Sequence, residues 1–192
     1  MLFRFLILTV ILGTAALIQA CAPVIVAGGA TAAVVASDRR TVGAFVDDEN
    51  IEIKARKLLT DDRNLGDDIH VNITSVNGNV LLSGEALTAE MRDQVVDHVR
   101  SVPGIRRVVN EINVAEPTAF ATRVNDGWIT TKVKSKLLNT ENIQASHIKV
   151  VTENSVVYLM GLVKQEEGNI AAEATRTVGS IKRVVKLFEY TD

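Results

Sequence analysis

Hydrophobic positions follow two periods that alternate along the chain after residue 50. Ile51, Ala55 and Leu59 are four residues apart, which predicts an amphipathic helix with a narrow buried stripe. Apolar residues then alternate with polar ones on both sides of Asn77-Gly78, a pair that readily adopts positive φ and favours a tight hairpin turn. This part of the pattern therefore predicts a helix followed by two paired strands.

A second helix and a third strand follow the hairpin. Apolar residues return to helical spacing over residues 91–102, and Thr88 is in place to cap the N terminus of that helix. Pro103-Gly104 ends the helix, and residues 108–114 again alternate like a strand. The predicted order of elements is helix, strand, strand, helix, strand.

The same pattern occurs twice. Residues 69–84 (IHVNITSVNGNVLLSG) align with residues 146–161 (SHIKVVTENSVVYLMG) at a shift of 77, and the flanking segments align at shifts of 76 and 78. Such self-similarity indicates two copies of one structural unit. We predict an α+β protein of two tandem αββαβ domains, each a three-stranded mixed sheet with both helices on one face. Because about 70 residues is near the lower limit for an independent core, we expect the two domains to pack against each other.

The first residues have the features of a lipoprotein signal. An apolar run over residues 5–18 follows the basic residue Arg4, and Ala20-Cys21 ends a segment that resembles a bacterial lipobox. Cys21 is the only cysteine of the chain, so it has no disulfide partner and suits acylation. An ordinary signal peptide beside a thiol is the alternative. By resemblance to Gram-negative lipoproteins, Ala22 after the cysteine implies sorting to the outer membrane.

Composition divides the rest of the chain. Residues 22–37 are small and uncharged, which favours a tether, with a short partly ordered segment as the alternative. Pro117 and the polar run that ends at Asn125 favour a linker between the repeats. The predicted boundaries are a signal peptide at 1–20, the lipidated cysteine and tether at 21–45, a first domain at 46–115, a linker at 116–125 and a second domain at 126–192.

The balance of charge argues against a nucleic-acid partner. Removal of residues 1–20 leaves 20 basic and 23 acidic side chains, a formal net charge of −3. Global attraction to nucleic acid or to anionic lipid is therefore not expected, and any such affinity must be local. The αββαβ order invites comparison with KH-like RNA binders, but the sequence contains no G-x-x-G loop.

The repeated motifs resemble the BON domain. Each repeat has a helix, a hairpin that ends at Gly84 or Gly161, and a closing V-x-G-I or V-x-S-I before R-x-V. Together with the lipobox and the segment WITTKV, the two repeats are similar to the family of outer-membrane lipoproteins that carry two BON domains. Ser180 departs from the pattern, because the first repeat has Gly104 there, so a local rearrangement of that turn is expected without loss of the fold.

This resemblance carries functional expectations. It implies a non-catalytic lipoprotein on the periplasmic side of the outer membrane that supports envelope integrity. It also implies that the first helix of the second domain contacts anionic phospholipid.

That helix carries the only Trp of the chain. With Ile129, Val133 and Leu137 facing the sheet, Trp128 lies about 100° around the helix from this stripe. An indole at a membrane boundary places its ring in lipid and its N–H in water, and each lysine near anionic lipid contributes roughly 1 kcal/mol. The candidate lipid-binding residues are Trp128, Thr131, Lys132, Lys134, Ser135 and Lys136.

The first repeat provides an internal comparison. Residues 127–140 carry three lysines and no acid, whereas the matching residues 49–62 have a net charge of −1, with Asn50 in the place of Trp128. The two helices have therefore diverged in surface chemistry. Two alternatives remain open for Trp128, namely burial against the first domain and a hot spot for a protein partner such as the outer-membrane assembly machinery.

Catalytic and metal chemistry have little support in the sequence. No G-x-S-x-G or phosphate-binding loop occurs, and an acylated Cys21 would leave no thiol nucleophile. His70 and His147 occupy matching positions before the first strand of each repeat, but neither has a third ligand nearby in sequence. A polar residue at a strand entry is the favoured interpretation. We predict no enzyme activity, no metal site and no cofactor.

Overall fold

The structure is a computed structural model that describes residues 38–192. The predicted signal peptide at 1–20, the lipidation site Cys21 and the tether as far as residue 37 lie outside the described residues, and they stay predictions. Within residues 38–192, no helix combines the length and the apolar character needed to cross a membrane.

Each repeat contains the predicted order of elements, which is confirmed. The first repeat comprises α1 (Val42–Asp61), β1 (Ile69–Val76), β2 (Asn79–Ala86), α2 (Ala89–Arg100) and β3 (Arg107–Val114). The second comprises α3 (Phe120–Leu138), β4 (Lys149–Glu153), β5 (Val156–Val163), α4 (Gln165–Arg176) and β6 (Arg183–Tyr190). A short 3-10 turn precedes the first strand of each repeat, at Gly66–Asp68 and at Ala145–His147.

Each repeat forms a three-stranded mixed sheet. β2 lies in the centre of the first sheet, antiparallel to β1 and parallel to β3. β5 has the same place in the second sheet, between β4 and β6. A parallel pair requires a crossover connection, which α2 and α4 provide. The predicted fold class is therefore confirmed.

One face of each sheet forms a core with both helices of its repeat. The predicted stripe of α1 packs with apolar residues of α2 and with the inward side chains of the first sheet. Ile129, Val133 and Leu137 of α3 form the corresponding core with α4 and the second sheet.

The opposite faces of the two sheets pack against each other. Val76, Leu81, Tyr158 and Met160 are buried in this contact. The described residues thus form four layers in the order helices, sheet, sheet, helices, which confirms the expected packing between the repeats. Both cores and the contact between them are built from residues within 38–192, so the chain from Ala22 onward contains every residue of these packed layers.

Both long helices begin earlier than predicted. α1 starts at Val42 rather than near residue 46, because the Thr41 hydroxyl accepts a hydrogen bond from the Ala44 N–H (3.1 Å) and caps the helix. α3 starts at Phe120, so residues 120–125 are helical and not part of a linker. Their polar composition reflects the solvent side of a helix. Pro117 precedes the helix N terminus, where it interrupts no helical hydrogen bond.

The two hairpin turns have the same backbone geometry although their residues differ. Asn77 and Gly78 have φ values of 52° and 73°, and Asn154 and Ser155 have values of 46° and 63°. A turn with two positive φ values matches the twist of antiparallel strands. The second turn therefore forms without the glycine that makes the first one easy to predict from sequence.

A buried carboxylate on the preceding helix holds each turn. Asp48 of α1 accepts the backbone N–H groups of both central residues of the first turn, at 2.6 and 2.8 Å. Asp126 of α3 accepts the two equivalent N–H groups of the second turn, both at 2.8 Å. These bonds satisfy buried donors and join the first helix of each repeat to the tip of its hairpin.

Backbone geometry explains the residue type at three further positions of the repeated motif. Ser180 has a φ of 74°, in the same left-handed region as Gly104 at 94°, so the turn is kept and the expected local rearrangement does not occur. At Gly84 and Gly161, a Cβ atom would collide with the carbonyl oxygen of His70 or His147 on the neighbouring segment. These two glycines are required by close backbone approach.

Candidate membrane-binding site

The rotation of α3 about its axis is fixed by its buried side. Ile129, Val133 and Leu137 are buried in the core of the second repeat. Asp126 is also buried and lies one helical turn before Ile129, the first residue of this stripe. Its carboxylate accepts two hydrogen bonds from the β4–β5 turn. The opposite side of the helix must therefore face outward.

Trp128 lies on this outward side. Its side chain is 60% exposed and belongs to neither the helix–sheet core nor the contact between the sheets. Burial of Trp128 against the first domain, one of the two alternatives, is therefore wrong. The other five candidate residues on α3 are exposed as well, at Thr131, Lys132, Lys134, Ser135 and Lys136. Their role in lipid binding stays a prediction.

The Lys132 ammonium group lies over the Trp128 ring on this surface. The Lys132 Nζ lies 5.4 Å from the centroid of the indole, one helical turn further along. This is a cation–π contact, which fixes an ammonium group beside an exposed aromatic ring.

Three apolar residues of the outward surface were missed by sequence reasoning. Phe120 and Leu138 are each 74% exposed and Val124 is 56% exposed. Together with Trp128 they lie within roughly 80° of the helix circumference, opposite the core stripe. We call these four residues the outward stripe. The signal was the spacing of Phe120, Val124 and Trp128 at four residues, but assignment of residues 116–125 to a linker concealed it.

Cationic side chains border the outward stripe on both sides. From the helical period, Lys132 lies along one edge of the stripe, and Arg123 and Lys134 lie along the other. Lys136 projects closer to the core side of the helix. Two of the three predicted lysines therefore border the stripe directly, and Arg123 is an additional cation that the sequence reasoning did not include.

α1 shows which of these features is specific to α3. Its outward side also exposes apolar residues, namely Val42, Phe45, Val46 and Ile53. Glu49 and Asn50 occupy the middle of that side, where α3 has Gly127 and Trp128. An apolar stripe is thus common to both helices, and so are two bordering cations, because Lys54 and Arg56 match Lys132 and Lys134. The indole and the absence of acids over residues 127–140 distinguish the second helix.

The two matching histidines lie one in each repeat and have different surroundings. His70 Nδ1 lies 3.2 Å from the Arg123 Nη1, and burial together with this positive charge lowers the pKa of His70. His147 is buried in the 3-10 turn before β4. Within residues 38–192, no three His, Cys, Asp or Glu side chains converge in a way that could hold a metal ion.

Comparison with known proteins identifies the class to which this fold belongs. Residues 47–116 and 125–192 match the BON domain, so the chain is a member of the BON-domain family with two copies of the domain. Over 185 residues, 96% of each chain, it is 36% identical to the outer membrane lipoprotein DolP of Haemophilus influenzae.

Two further relatives cover both repeats. The chain is 34% identical over 153 residues to a 21 kDa hemolysin of Actinobacillus pleuropneumoniae, which covers 80% of this chain and 79% of that protein. It is 27% identical over 151 residues to the osmotically-inducible protein Y of Escherichia coli, which covers 77% and 75%. The family match and these relatives support an outer-membrane lipoprotein of the BON family.

Proposed function

We propose that this protein is a non-catalytic lipoprotein of the outer membrane, anchored on the periplasmic side by acyl chains on Cys21, that binds anionic phospholipid through α3 and supports envelope integrity. The observation that supports this proposal best is the exposed Trp128 within an outward stripe of apolar residues bordered by cations. No acidic residue occurs between residues 127 and 140 to oppose an anionic surface.

In this proposal α3 lies along the membrane interface. The outward stripe enters the boundary between headgroups and acyl chains, typically about 5–10 Å deep for such helices, while the bordering cations meet lipid phosphates. A single acyl signal gives marginal binding and two signals give stable anchoring. The acyl chains on Cys21 would anchor the protein in the membrane, and α3 would direct it to regions rich in anionic lipid.

Trp fluorescence tests the proposal directly. The soluble chain from Ala22 onward is titrated with vesicles of neutral lipid and then of anionic lipid. Because Trp128 is the only indole and is exposed, its emission should begin at long wavelength and shift to the blue with anionic vesicles alone. Salt should reverse the shift, since screening weakens the attraction. An emission unmoved by anionic vesicles would contradict the proposal.

The repeat supplies matched control variants for the same titration. Lys132→Gln and Lys134→Gln should each weaken binding to anionic vesicles about fivefold at low salt, the equivalent of roughly 1 kcal/mol per cation. Lys54→Gln and Arg56→Gln change the equivalent exposed positions of α1 and should leave binding unchanged. Equal effects in both helices would mean that only global charge matters.

The alternative function is docking to outer-membrane assembly proteins, with Trp128 as the contact hot spot. The exposure of the indole, rather than its burial, also favours this alternative. It predicts a contact that is less sensitive to salt and indifferent to lipid headgroup charge. The vesicle titration therefore separates the two functions.

A further inference from the structure

A cavity lies at the C-terminal end of α3, beside the outward stripe. It has a volume of about 250 Å³ and is lined by Lys134, Leu137, Leu138, Ala145, Ser146 and Ile148. Leu137 and Ile148 are buried and form its floor, whereas Leu138 is exposed and forms part of its rim. The lining is apolar except for one ammonium group and one hydroxyl.

The cavity adjoins one edge of the outward stripe. Leu138 belongs to both, and it lies about 15 Å along the helix axis from Trp128. If α3 lies along the membrane as proposed, the mouth of the cavity is at the boundary of headgroups and acyl chains. Lys134 then stands at the level of the lipid phosphates.

The first repeat has a cavity at the equivalent place with a different lining. That cavity, of about 450 Å³, includes the charged or titratable side chains Arg56, Asp62, Arg63, Asp67 and His70. By sequence register, Arg56 and Thr60 stand in the places of Lys134 and Leu138. The fold therefore produces a cavity at this position in both repeats, whereas an apolar lining with a single cation at the rim occurs in the second.

We propose that the cavity of the second repeat takes part of one acyl chain of an anionic phospholipid whose phosphate lies against Lys134. The inference rests on the proposed function and names the lipid subsite within it. An apolar floor leaves a polar headgroup without hydrogen-bond partners but accepts a hydrocarbon chain. The single ammonium group at the rim complements one phosphate, and no acid occurs over residues 127–140 to oppose it.

A soluble phospholipid tests the subsite without a membrane. The chain from Ala22 onward is titrated with monomeric dihexanoyl phosphatidylglycerol below its micelle concentration, and backbone amide shifts are followed by NMR. We expect saturable shifts at Ala145, Ser146 and Ile148. Glycerol phosphate, which lacks acyl chains, should not produce them. An absence of saturable shifts with the phospholipid, or equal shifts with glycerol phosphate, would overturn the proposal.

Variants that fill the cavity provide a second test of the acyl-chain subsite. Ala145→Leu should weaken phospholipid binding roughly tenfold or more, because the added methyl groups occupy the space of the chain. Ser146→Leu, at an exposed position, repeats the test should the first variant fold poorly. Asp67→Leu, in the cavity of the first repeat, is the control and should leave binding unchanged. Unaltered affinity in both filled variants would contradict the proposal.

The two proposals fail in different ways. The blue shift of Trp128 with anionic vesicles reports the membrane contact, and it should persist in Ser146→Leu because the outward stripe is intact. In the unsubstituted chain, an absence of phospholipid shifts together with a normal blue shift would contradict the subsite alone. Decanoate serves as the free single-chain anion, and tighter binding of decanoate than of the phospholipid would make this a fatty-acid site instead.

Discussion

At the scale of single residues, two buried carboxylates have a structural role that composition does not reveal. Asp48 is 3% exposed and accepts hydrogen bonds from two backbone N–H groups and from the Ser75 hydroxyl (2.6 Å), and it forms an ion pair with Arg40 (2.9 Å). Asp126 repeats the two backbone contacts in the second repeat. An acid in this position allows the turn to keep two positive φ values.

We expect Asp48→Ala to lower the free energy of unfolding by about 3 kcal/mol, because buried donors lose their acceptor. Urea unfolding followed by circular dichroism measures the change. The neighbouring Asp47 is exposed, so Asp47→Ala should change stability by only about 0.5 kcal/mol. Equal losses in both variants would show that the turn does not depend on this carboxylate.

Glu153 predicts a pH dependence of stability. Burial raises its pKa above the ordinary value of 4.5; the hydrogen bond from Asn72 opposes this, while the charges of Glu85 and Asp126 add to it. Because the native state then holds a proton that the unfolded chain releases, stability should fall as pH rises from about 4.5 through the native pKa.

Glu153→Gln removes this titration and keeps an acceptor for the Asn72 amide. The variant should be more stable than the wild type at pH 7, and the two should converge at pH values below the ordinary pKa of the carboxyl. Thermal unfolding across this pH range measures the difference. Glu116→Gln, at an exposed position, is the control. A variant less stable than the wild type at pH 7 would contradict the assigned direction.

At the scale of elements, α1 and α3 share a buried side and differ on their outer side. Both expose valine at the equivalent positions Val46 and Val124. We expect Val124→Glu to weaken binding to anionic vesicles by roughly tenfold or more, because it places an acid within the apolar face that enters the interface. Vesicle co-sedimentation at low salt measures the change.

Val46→Glu introduces the same charge at the matching place on α1. Its effect on vesicle binding should be small, and neither substitution should alter stability greatly because both side chains are exposed. Equal losses of binding would instead indicate that both helices contact the membrane.

At the scale of the whole molecule, the contact between the two sheets joins the repeats. Tyr158 is buried there, and its hydroxyl lies 3.2 Å from the Glu111 carboxylate. Burial and this neighbouring charge raise the pKa of Tyr158 to about 12, so the phenol stays neutral within the contact. Arg39 adds a further link, because it pairs with Glu167 of the second repeat while Arg40 pairs with Asp48 of the first.

We expect the repeats to unfold together. Leu81 of the first repeat is fully buried against the second, so Leu81→Ala should lower the free energy of unfolding by about 3 kcal/mol. Hydrogen exchange of β5 amides, in the other repeat, should accelerate as well. Exchange that is faster in the first sheet only would mean that the two domains are energetically independent.

Much of the fold could be predicted because the hydrophobic pattern is repeated. The stripe of Ile129, Val133 and Leu137 specifies which side of α3 is buried, since helical period and burial are tied by geometry. The spacing of motifs gave the element order and the two copies. The start of α3 was predicted wrongly, because polar residues at 122–125 are compatible with either a linker or the exposed side of a helix.

What the sequence by itself determined is local: the periods, the turns with Asn-Gly, the paired motifs and the charge difference between the two first helices. Only the tertiary structure decided that Trp128 is exposed, because burial of a residue off the core stripe depends on where the other domain packs. The apolar cavity likewise brings together residues from separate segments, namely the end of α3 and residues 145–148. Their proximity is a property of chain folding in space, which periodicity along the chain does not encode.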